Sequence, residues 1–437
     1  MTAAPRLHTT TNGEANKLYP GDRAVHDWYR FVLSFPPQLV REYLARFGVG
    51  ERDAVLDPFC GTGTTLVECK KLGIPSVGVE ANPIACFASR TKASWDVDPN
   101  GLEQHAREVA RIADERCRSE GIEDAPVFQA LNDGHVALRA LPREKHDLLL
   151  TNSISPLPLH KTMVLLECLR AFHDDRYEHH EILALAKALV YSIGNLEFGP
   201  EVGVGTLKSD APVIGPWLAG VRAMAEDLRS VQDGKTTRAL VHQADARQIL
   251  NVVEPGSIAA VITSPPYPNE KDYSRTTRLE SVLLGFVSNK KDLQQLKRGL
   301  VRSNTRSVYK GDSDDLWVIE HSEIQRIAAE IEARRVELGK TSGFERMYAR
   351  VTKLYFGGMA RHLADLRHVL RPGAQLAYVV GDQASYLRVM IRTGQLLGDI
   401  ARRLGYDLVS IDLFRTRLAT ATREQLREEV VVLRWPG

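Results

Sequence analysis

The sequence predicts an α/β fold, a mostly parallel sheet of about seven strands interrupted by a helical insertion. Three observations predict it. Short apolar strands alternate with helical periods over 54–83 and again from 239 onward, which demands crossover connections and a parallel sheet. The stretch between them has mainly helical periodicity. The last two apolar runs, 406–416 and 427–435, follow each other with no helix between, as an antiparallel edge would.

Each element follows in order. Residues 1–20, MTAAPRLHTTTNGEANKLYP, lack the basic-then-apolar pattern of a secretory leader and are expected to be a flexible lead-in. From Gln38, the positions Leu39, Val40, Tyr43, Leu44 and Phe47 recur at helical spacing until Gly48 and Gly50 end the helix. AVLDPF (54–59) is a strand running into a glycine turn, LVECKKLG (66–73) a helix and SVGVEANP (76–83) a second strand. Residues 96–238 form the helical insertion, with helices over 101–121 and 159–194 and one strand candidate, HDLLLTNS (146–153). ALVHQADA (239–246) and IAAVITSPPY (258–267) are strands, the second apolar throughout and therefore central. A charged, largely helical stretch covers 285–345. The end reads as a helix over 356–373 stopped by Gly373, a strand at 375–382, a helix over 385–405 and the two final strands. Residues 21–95 with 239–437 thus form one α/β unit, carrying 96–238 and 285–345 as insertions.

Composition narrows the function classes. No run of about 18 apolar residues is present, so no membrane-spanning helix is expected. Five cysteines, an odd number with no CxxC, argue against a disulfide framework or a metal site and fit a cytoplasmic protein. The formal charge of +2 permits a polyanionic partner without arguing for one.

Two loops carry the chemistry. In Leu56-Asp57-Pro58-Phe59-Cys60-Gly61-Thr62-Gly63, the glycines let backbone approach a ligand at a strand-to-helix turn. The third glycine of a dinucleotide fingerprint is absent, Leu66 standing in its place. Asp57 at the strand end can accept from an ammonium or amide group. Glu80, ending the next strand, stands where a doubly wound fold places an acid against ribose hydroxyls, which points to a nucleoside-type cofactor. The second loop, Thr263-Ser264-Pro265-Pro266-Tyr267, leaves a buried-type strand. Its Ser264 hydroxyl and Pro265 carbonyl can grip an NH₂ group, and Tyr267 offers a face for stacking on a base. Either loop alone is also found as a plain turn.

Together, DPFCGTGTT and SPPY resemble the amino-methyltransferases that act on DNA adenine or cytosine. The resemblance covers about 20–95 and 239–437. It implies a Rossmann-like methyltransferase sheet, S-adenosylmethionine as cofactor, and double-stranded DNA as partner beside a candidate cognate restriction nuclease. Asp57, Phe59, Gly61 and Gly63 would line the methionine end of the cofactor. Glu80 would bind the ribose, Asp245 would accept from the adenine amino group, and Phe35 opens a stretch, FPPQLVREYL, similar to the family's helical motif beside the methionine. Ser264, Pro265, Pro266 and Tyr267 would hold a flipped base. Here the glycine turn precedes the SPPY loop, whereas the commonest SPPY enzymes have the opposite order.

The implied chemistry is direct displacement at an exocyclic amine, driven by positioning and electrostatics. Methylation at cytosine C5 needs a cysteine after the proline, and Tyr267 stands there. Serine at the head of the loop is more typical of cytosine-N4 enzymes, with adenine-N6 as the alternative. Transfer-RNA guanine-N2 methyltransferases share the loop order but carry aspartate in place of Ser264 and an added N-terminal RNA-binding domain. A non-catalytic DNA-binding relative is a further alternative. Tyr273, Arg275 and Arg278 are expected to meet DNA, within a basic series running from Lys271 to Lys310, and Arg415, Arg417, Arg423 and Arg427 form a second group. The insertion 96–238 could carry target recognition or a partner surface.

Overall fold

Alternation of buried residues explains how the sheet is layered. The computed structural model describes residues 18–31, 34–124, 137–199, 201–418 and 425–437. Val55, Ala260, Ile262, Ala377 and Val379 pack on one face, while Leu56, Val261, Leu376, Tyr378 and Val380 pack on the other. The strands are β1 (Val55–Asp57), β2 (Ser76–Glu80), β3 (Leu196–Phe198), β4 (Val202–Val204), β5 (Ala239–Gln243), β6 (Ile258–Thr263), β7 (Leu370–Gly381), β8 (Asp407–Leu418) and β9 (Gln425–Arg434). Seven of them form one sheet in the order β5-β2-β1-β6-β7-β9-β8, and β3 and β4 form a separate hairpin. The first five in that order are parallel, and β9 runs antiparallel to both β7 and β8. This is the seven-stranded, mostly parallel sheet with the antiparallel edge that the sequence predicts.

The helices are α1 (Pro37–Phe47), α2 (Thr64–Lys71), α3 (Pro83–Ala93), α4 (Pro99–Ser119), α5 (Arg143–His146), α6 (Pro156–Ala171), α7 (Glu178–Ala188), α8 (Ile214–Ser230), α9 (Tyr273–Thr276), α10 (Arg278–Leu283), α11 (Lys290–Gly299), α12 (Ser322–Glu337), α13 (Tyr348–Leu366) and α14 (Thr393–Arg403). Helix α1 starts on Pro37, whose missing N–H costs nothing in a first turn, and stops at Gly48 with φ +64°. Its stripe Leu39, Val40, Tyr43 and Leu44 covers one sheet face. Residues of α12, α13 and α14 cover the other, Ile327, Phe356, Met359, Leu363 and Leu397 among them.

A second core joins α4, α6, α7 and α8 through Val109, Leu165, Leu183, Trp217 and Val221, with Trp28 and Tyr29 inserted from the N-terminal side. Lys92, fully enclosed, donates to the carbonyls of His26 and Tyr29 and pins that segment. Among the described residues no helix is long and apolar enough to cross a membrane, and all five cysteines are unpaired.

Three local expectations are corrected. HDLLLTNS is not a strand: α5 ends at His146, and turns carry the chain on, with Leu148 buried against Val282, Val287 and Leu296. Gly373 is not a helix stop. Helix α13 ends at Leu366, and Gly373, with φ +83°, lies in an irregularity of β7 where the register with β6 shifts. Residues 385–392 are not helical, since Leu387 and Arg388 have positive φ and Gln383 bridges Ile391; α14 begins only at Thr393. Within the charged stretch 285–345, a short 3-10 turn at Asp314–Val318 leads to α12.

Candidate active site

Because β1 and β6 are neighbours, paired Val55↔Ala260 and Leu56↔Val261, the glycine turn and the Ser-Pro-Pro-Tyr loop leave the sheet side by side. A cavity of about 610 Å³ opens over them. Phe35, Phe59, Gly61 and Glu80 line it together with Ser264, Pro265, Pro266, Tyr267 and Tyr273. Asp57 and Gly63 are not part of the lining, although their chain neighbours Pro58, Thr62 and Thr64 are.

The glycine turn is held by its own polar groups. The Gly61 N–H donates to Glu80 Oε2 at 2.9 Å, and the Asn82 N–H donates to Oε1 at 2.7 Å. Gly61 has φ +50° and Gly63 φ +85°, so an L side chain would be strained at either position. A Cβ on Gly63 would also lie 3.0 Å from Ser89 Oγ, while that hydroxyl donates to the Gly61 carbonyl at 2.7 Å. Desolvation pushes the Glu80 carboxyl up to about 7. Cys60 is buried and its thiol is pushed well up by desolvation, so it offers no thiolate nucleophile.

Asp57 is fully buried. Its Oδ1 accepts from the Thr263 hydroxyl at 2.6 Å and from the Phe59 N–H at 3.2 Å, whereas Oδ2 has no hydrogen-bond partner. Burial raises its carboxyl to about 6. Thr62 Oγ1 and Asn82 Oδ1, both on cavity-lining residues, are likewise buried without partners. Buried polar atoms are rarely left so, and two on the cavity lining with a third on the strand end next to Pro58 fit a ligand rich in ammonium, hydroxyl and amine donors. S-adenosylmethionine is such a ligand.

In the second loop the Ser264 hydroxyl donates to the Val379 carbonyl at 3.1 Å. Its proton is thereby committed, and its oxygen, with the Tyr267 phenol as a neighbour, can act only as an acceptor. Tyr267 packs where Gly381 has no side chain: a Cβ there would be 3.0 Å from Tyr267 Cε2. Beyond it the Asn269 N–H donates to the Tyr267 carbonyl at 2.8 Å. The Glu270 carboxylate accepts from the Thr305 hydroxyl at 2.8 Å, and the Asn304 amide donates to the Lys271 carbonyl at 3.0 Å.

Other sequence candidates are placed differently. Asp245 does not line the cavity; its carboxylate is gripped by the Arg247 guanidinium, and the neighbouring Ala246 forms the wall instead. Arg278 is turned inward, donating to the carbonyls of Ser274 and Leu148, which corrects its expected exposure to DNA. Arg275 is partly buried, its Nε without a partner, and lies outside the cavity lining. Tyr273 does line the cavity, its phenol pushed up to about 12 by burial and the nearby Glu80. Several members of the basic series are committed to acids: Lys297 to Asp272, Arg302 to Asp312 and Arg306 to Glu201. Arg423 lies outside the described residues, as do 1–17 of the lead-in.

Sequence reasoning missed Thr263, Asn82 and His362. The His362 ring is buried against Phe59, with centroids 4.9 Å apart. Its Nδ1–H donates to the Ala246 carbonyl at 2.7 Å, and Nε2 accepts from the Tyr378 hydroxyl at 2.7 Å. Burial lowers it to about 4, so it stays neutral. A single histidine within a helical period carries no signal of this in sequence.

Comparison with known proteins agrees with the two loops. A family model described as DNA methylase (N6_N4_Mtase) matches residues 8–89, which include the glycine turn. The Type II methyltransferase M.BsoBI of Geobacillus stearothermophilus is 25% identical over 452 aligned positions, covering 96% of this chain and 85% of that protein. M.AvaI of Nostoc sp. is 24% identical, covering 97% and 88%. M.MjaII of Methanocaldococcus jannaschii reaches 44% identity over 69 residues, 16% of this chain and 13% of its own. Among solved structures, TrmN from Thermus thermophilus aligns with 11% identity and a TM-score of 0.27, over 91% of this chain and 48% of that one. That score adds nothing to the sheet order already described. Two loops meeting over one cavity, a methylase model matched across the first of them and two nearly full-length relatives together support a DNA amino-methyltransferase family for this chain, with S-adenosylmethionine as the methyl donor.

Proposed function

We propose that the protein is a site-specific DNA methyltransferase of the Type II kind that transfers the methyl group to the N4 amine of cytosine. The observation that carries this reading is the Ser264 hydroxyl on the cavity lining, whose proton is held by the Val379 carbonyl so that its oxygen is left to accept. An exocyclic amine is a weak nucleophile because its lone pair is delocalised into the ring. Accepting its N–H bonds at Ser264 and at the Pro265 carbonyl favours tetrahedral nitrogen and aims the lone pair.

Tyr267 supplies a stacking face for the flipped base, and Tyr273 backs the pocket. Asp57 Oδ2 takes a donor from the methionine end, beside Phe35, Phe59, Gly61 and Gly63, while Glu80 takes the ribose hydroxyls. S-adenosylmethionine supplies an electrophilic methyl on a sulfonium leaving group. Asp245, held by Arg247 next to the cavity-lining Ala246, would accept from the cofactor's adenine amine. Double-stranded DNA is the partner of this reading, and a cognate nuclease and cytoplasmic action go with it. The helical layer, 96–238, serves target recognition or a partner.

Labelled methyl transfer to duplex DNA and, separately, to transfer RNA, followed by nucleoside mass spectrometry, tests the reading. N4-methylcytosine in DNA is the expected product. N6-methyladenine would move the assignment to the other branch of the family, and methylation of transfer RNA alone would sink it.

A further inference from the structure

Three cations line the cavity, Lys271, Arg415 and Arg417. Both arginines are paired with Glu428, whose Oε2 is 2.6 Å from Arg415 Nε and whose Oε1 is 3.5 Å from Arg417 Nε. Among the described residues the Lys271 ammonium has neither ion pair nor hydrogen bond. The nearby Glu201, also on the cavity lining, pairs through Oε2 with Arg306 at 3.2 Å, while its buried Oε1 makes no hydrogen bond and stands short of an ion pair with Lys271. The backbone of Lys271 is held at both ends: its N–H donates to Asn269 Oδ1 at 3.0 Å and its carbonyl accepts from Asn304. A half-enclosed cation four residues after Tyr267, on a pinned loop, is costly unless something at the cavity accepts from it. Burial lowers its pKa, in keeping with that cost.

We propose that Lys271 is the residue that selects the target base, its ammonium donating to O2 and N3 of the flipped cytosine while Ser264 and Pro265 hold the N4 amine. This rests on the cytosine reading above. The chemistry distinguishes the bases. Next to its amine, cytosine presents two adjacent acceptors, N3 and O2, matched to an ammonium with several donors. Adenine presents one acceptor, N1, followed by a C2–H that would face the cation with nothing to accept.

The test uses the full chain. The methylated position is mapped with the wild-type protein and the product nucleoside identified. Duplexes carrying cytosine or 2-thiocytosine at that position are then compared for wild type, Lys271→Met and Lys271→Arg. Sulfur in place of O2 should slow the wild type about 10- to 100-fold. Lys271→Met should lose a similar factor on cytosine, mainly in kcat, and be indifferent to the sulfur. Lys271→Arg should recover part of the loss, and all three should bind S-adenosylmethionine alike, which reports that they are folded. Full activity of Lys271→Met on cytosine overturns the inference, as does a sulfur penalty that persists in that variant. A loss confined to DNA affinity, with a shallower salt dependence, would make Lys271 a phosphate contact and overturn it too. If the wild type yields N6-methyladenine, the cytosine reading itself fails, which the product nucleoside shows before any variant is compared.

Discussion

The Thr263 hydroxyl donates to Asp57 Oδ1 at 2.6 Å, joining the last residue of β6 to the last residue of β1 across 206 positions of sequence. This bond locks the two loops to each other. It also fixes the Asp57 carboxyl so that one oxygen is spent on the protein and the other is left for a ligand.

Thr263→Val removes the donor with little change of shape. It should weaken S-adenosylmethionine binding by roughly tenfold, about 1.4 kcal/mol, because Asp57 is then free to rotate. Calorimetric titration measures this. An unchanged affinity would show that the tie does not organise the cofactor end.

Cofactor affinity should depend on pH in a direction set by Asp57. Its folded carboxyl titrates at about 6, above the ordinary aspartate value, so in the free protein it is largely protonated at pH 5 and ionised at pH 7.5. Ionisation of an acid with a raised folded pKa costs stability as pH rises from the ordinary aspartate value to about 6, and a cationic ligand recovers the cost. Binding should therefore tighten about tenfold between pH 5 and 7.5. In Asp57→Asn the Asp57 share of that dependence should vanish and affinity should be lower throughout. A wild-type affinity that falls with rising pH contradicts the assignment.

Ser264→Ala and Tyr267→Ala separate chemistry from cofactor binding. Each should cut methyl transfer by about 100-fold or more while leaving S-adenosylmethionine affinity within a factor of two. Full activity in either variant removes the loop from the reaction.

Gly381→Ala acts on the same loop without touching a reacting group. The new Cβ would sit 3.0 Å from Tyr267 Cε2 and 3.3 Å from Glu428 Cγ, so the ring must shift. Turnover should fall several-fold with a change in thermal midpoint of a few degrees at most, checked by steady-state kinetics and calorimetric melting.

His362→Leu strands the Ala246 carbonyl and the Tyr378 hydroxyl in the core. Stability should drop by about 2–4 kcal/mol in denaturant unfolding. A loss below about 0.5 kcal/mol would mean that the buried bridge contributes little.

The legible parts of the fold were those written locally. Asp57-Pro58-Phe59 into Gly61 and Gly63, and Ser264 to Tyr267 after an apolar strand, are contiguous patterns whose backbone demands are read residue by residue. The unbroken apolar run at 258–263 identified a central strand for the same reason, and 375–382 was legible as a strand. Where partners are distant the pattern misled. The leucines at 148–150 look like a strand, yet Leu148 is buried by Val282 and Leu296, more than 130 residues away. Residues 385–392 have helical composition, but the bridge from Gln383 to Ile391 holds them as a loop. Arg278 looked free for phosphate because sequence does not show that the Leu148 carbonyl lies beside it. Thr263 and His362 were illegible for the complementary reason: each acts through contacts with groups that lie elsewhere in the sequence.

The pairing of β1 with β6 makes loop order a matter of where the chain's ends happen to fall. The two loops meet through space, and nothing in their junction records which was synthesised first. Cutting such a chain in the connection ahead of β5 and joining its old ends would give a circular permutant with the proline loop leading and the same cavity behind it. Families that differ in motif order can thus share one catalytic centre, related by rearrangement of a gene rather than by reinvention of a site.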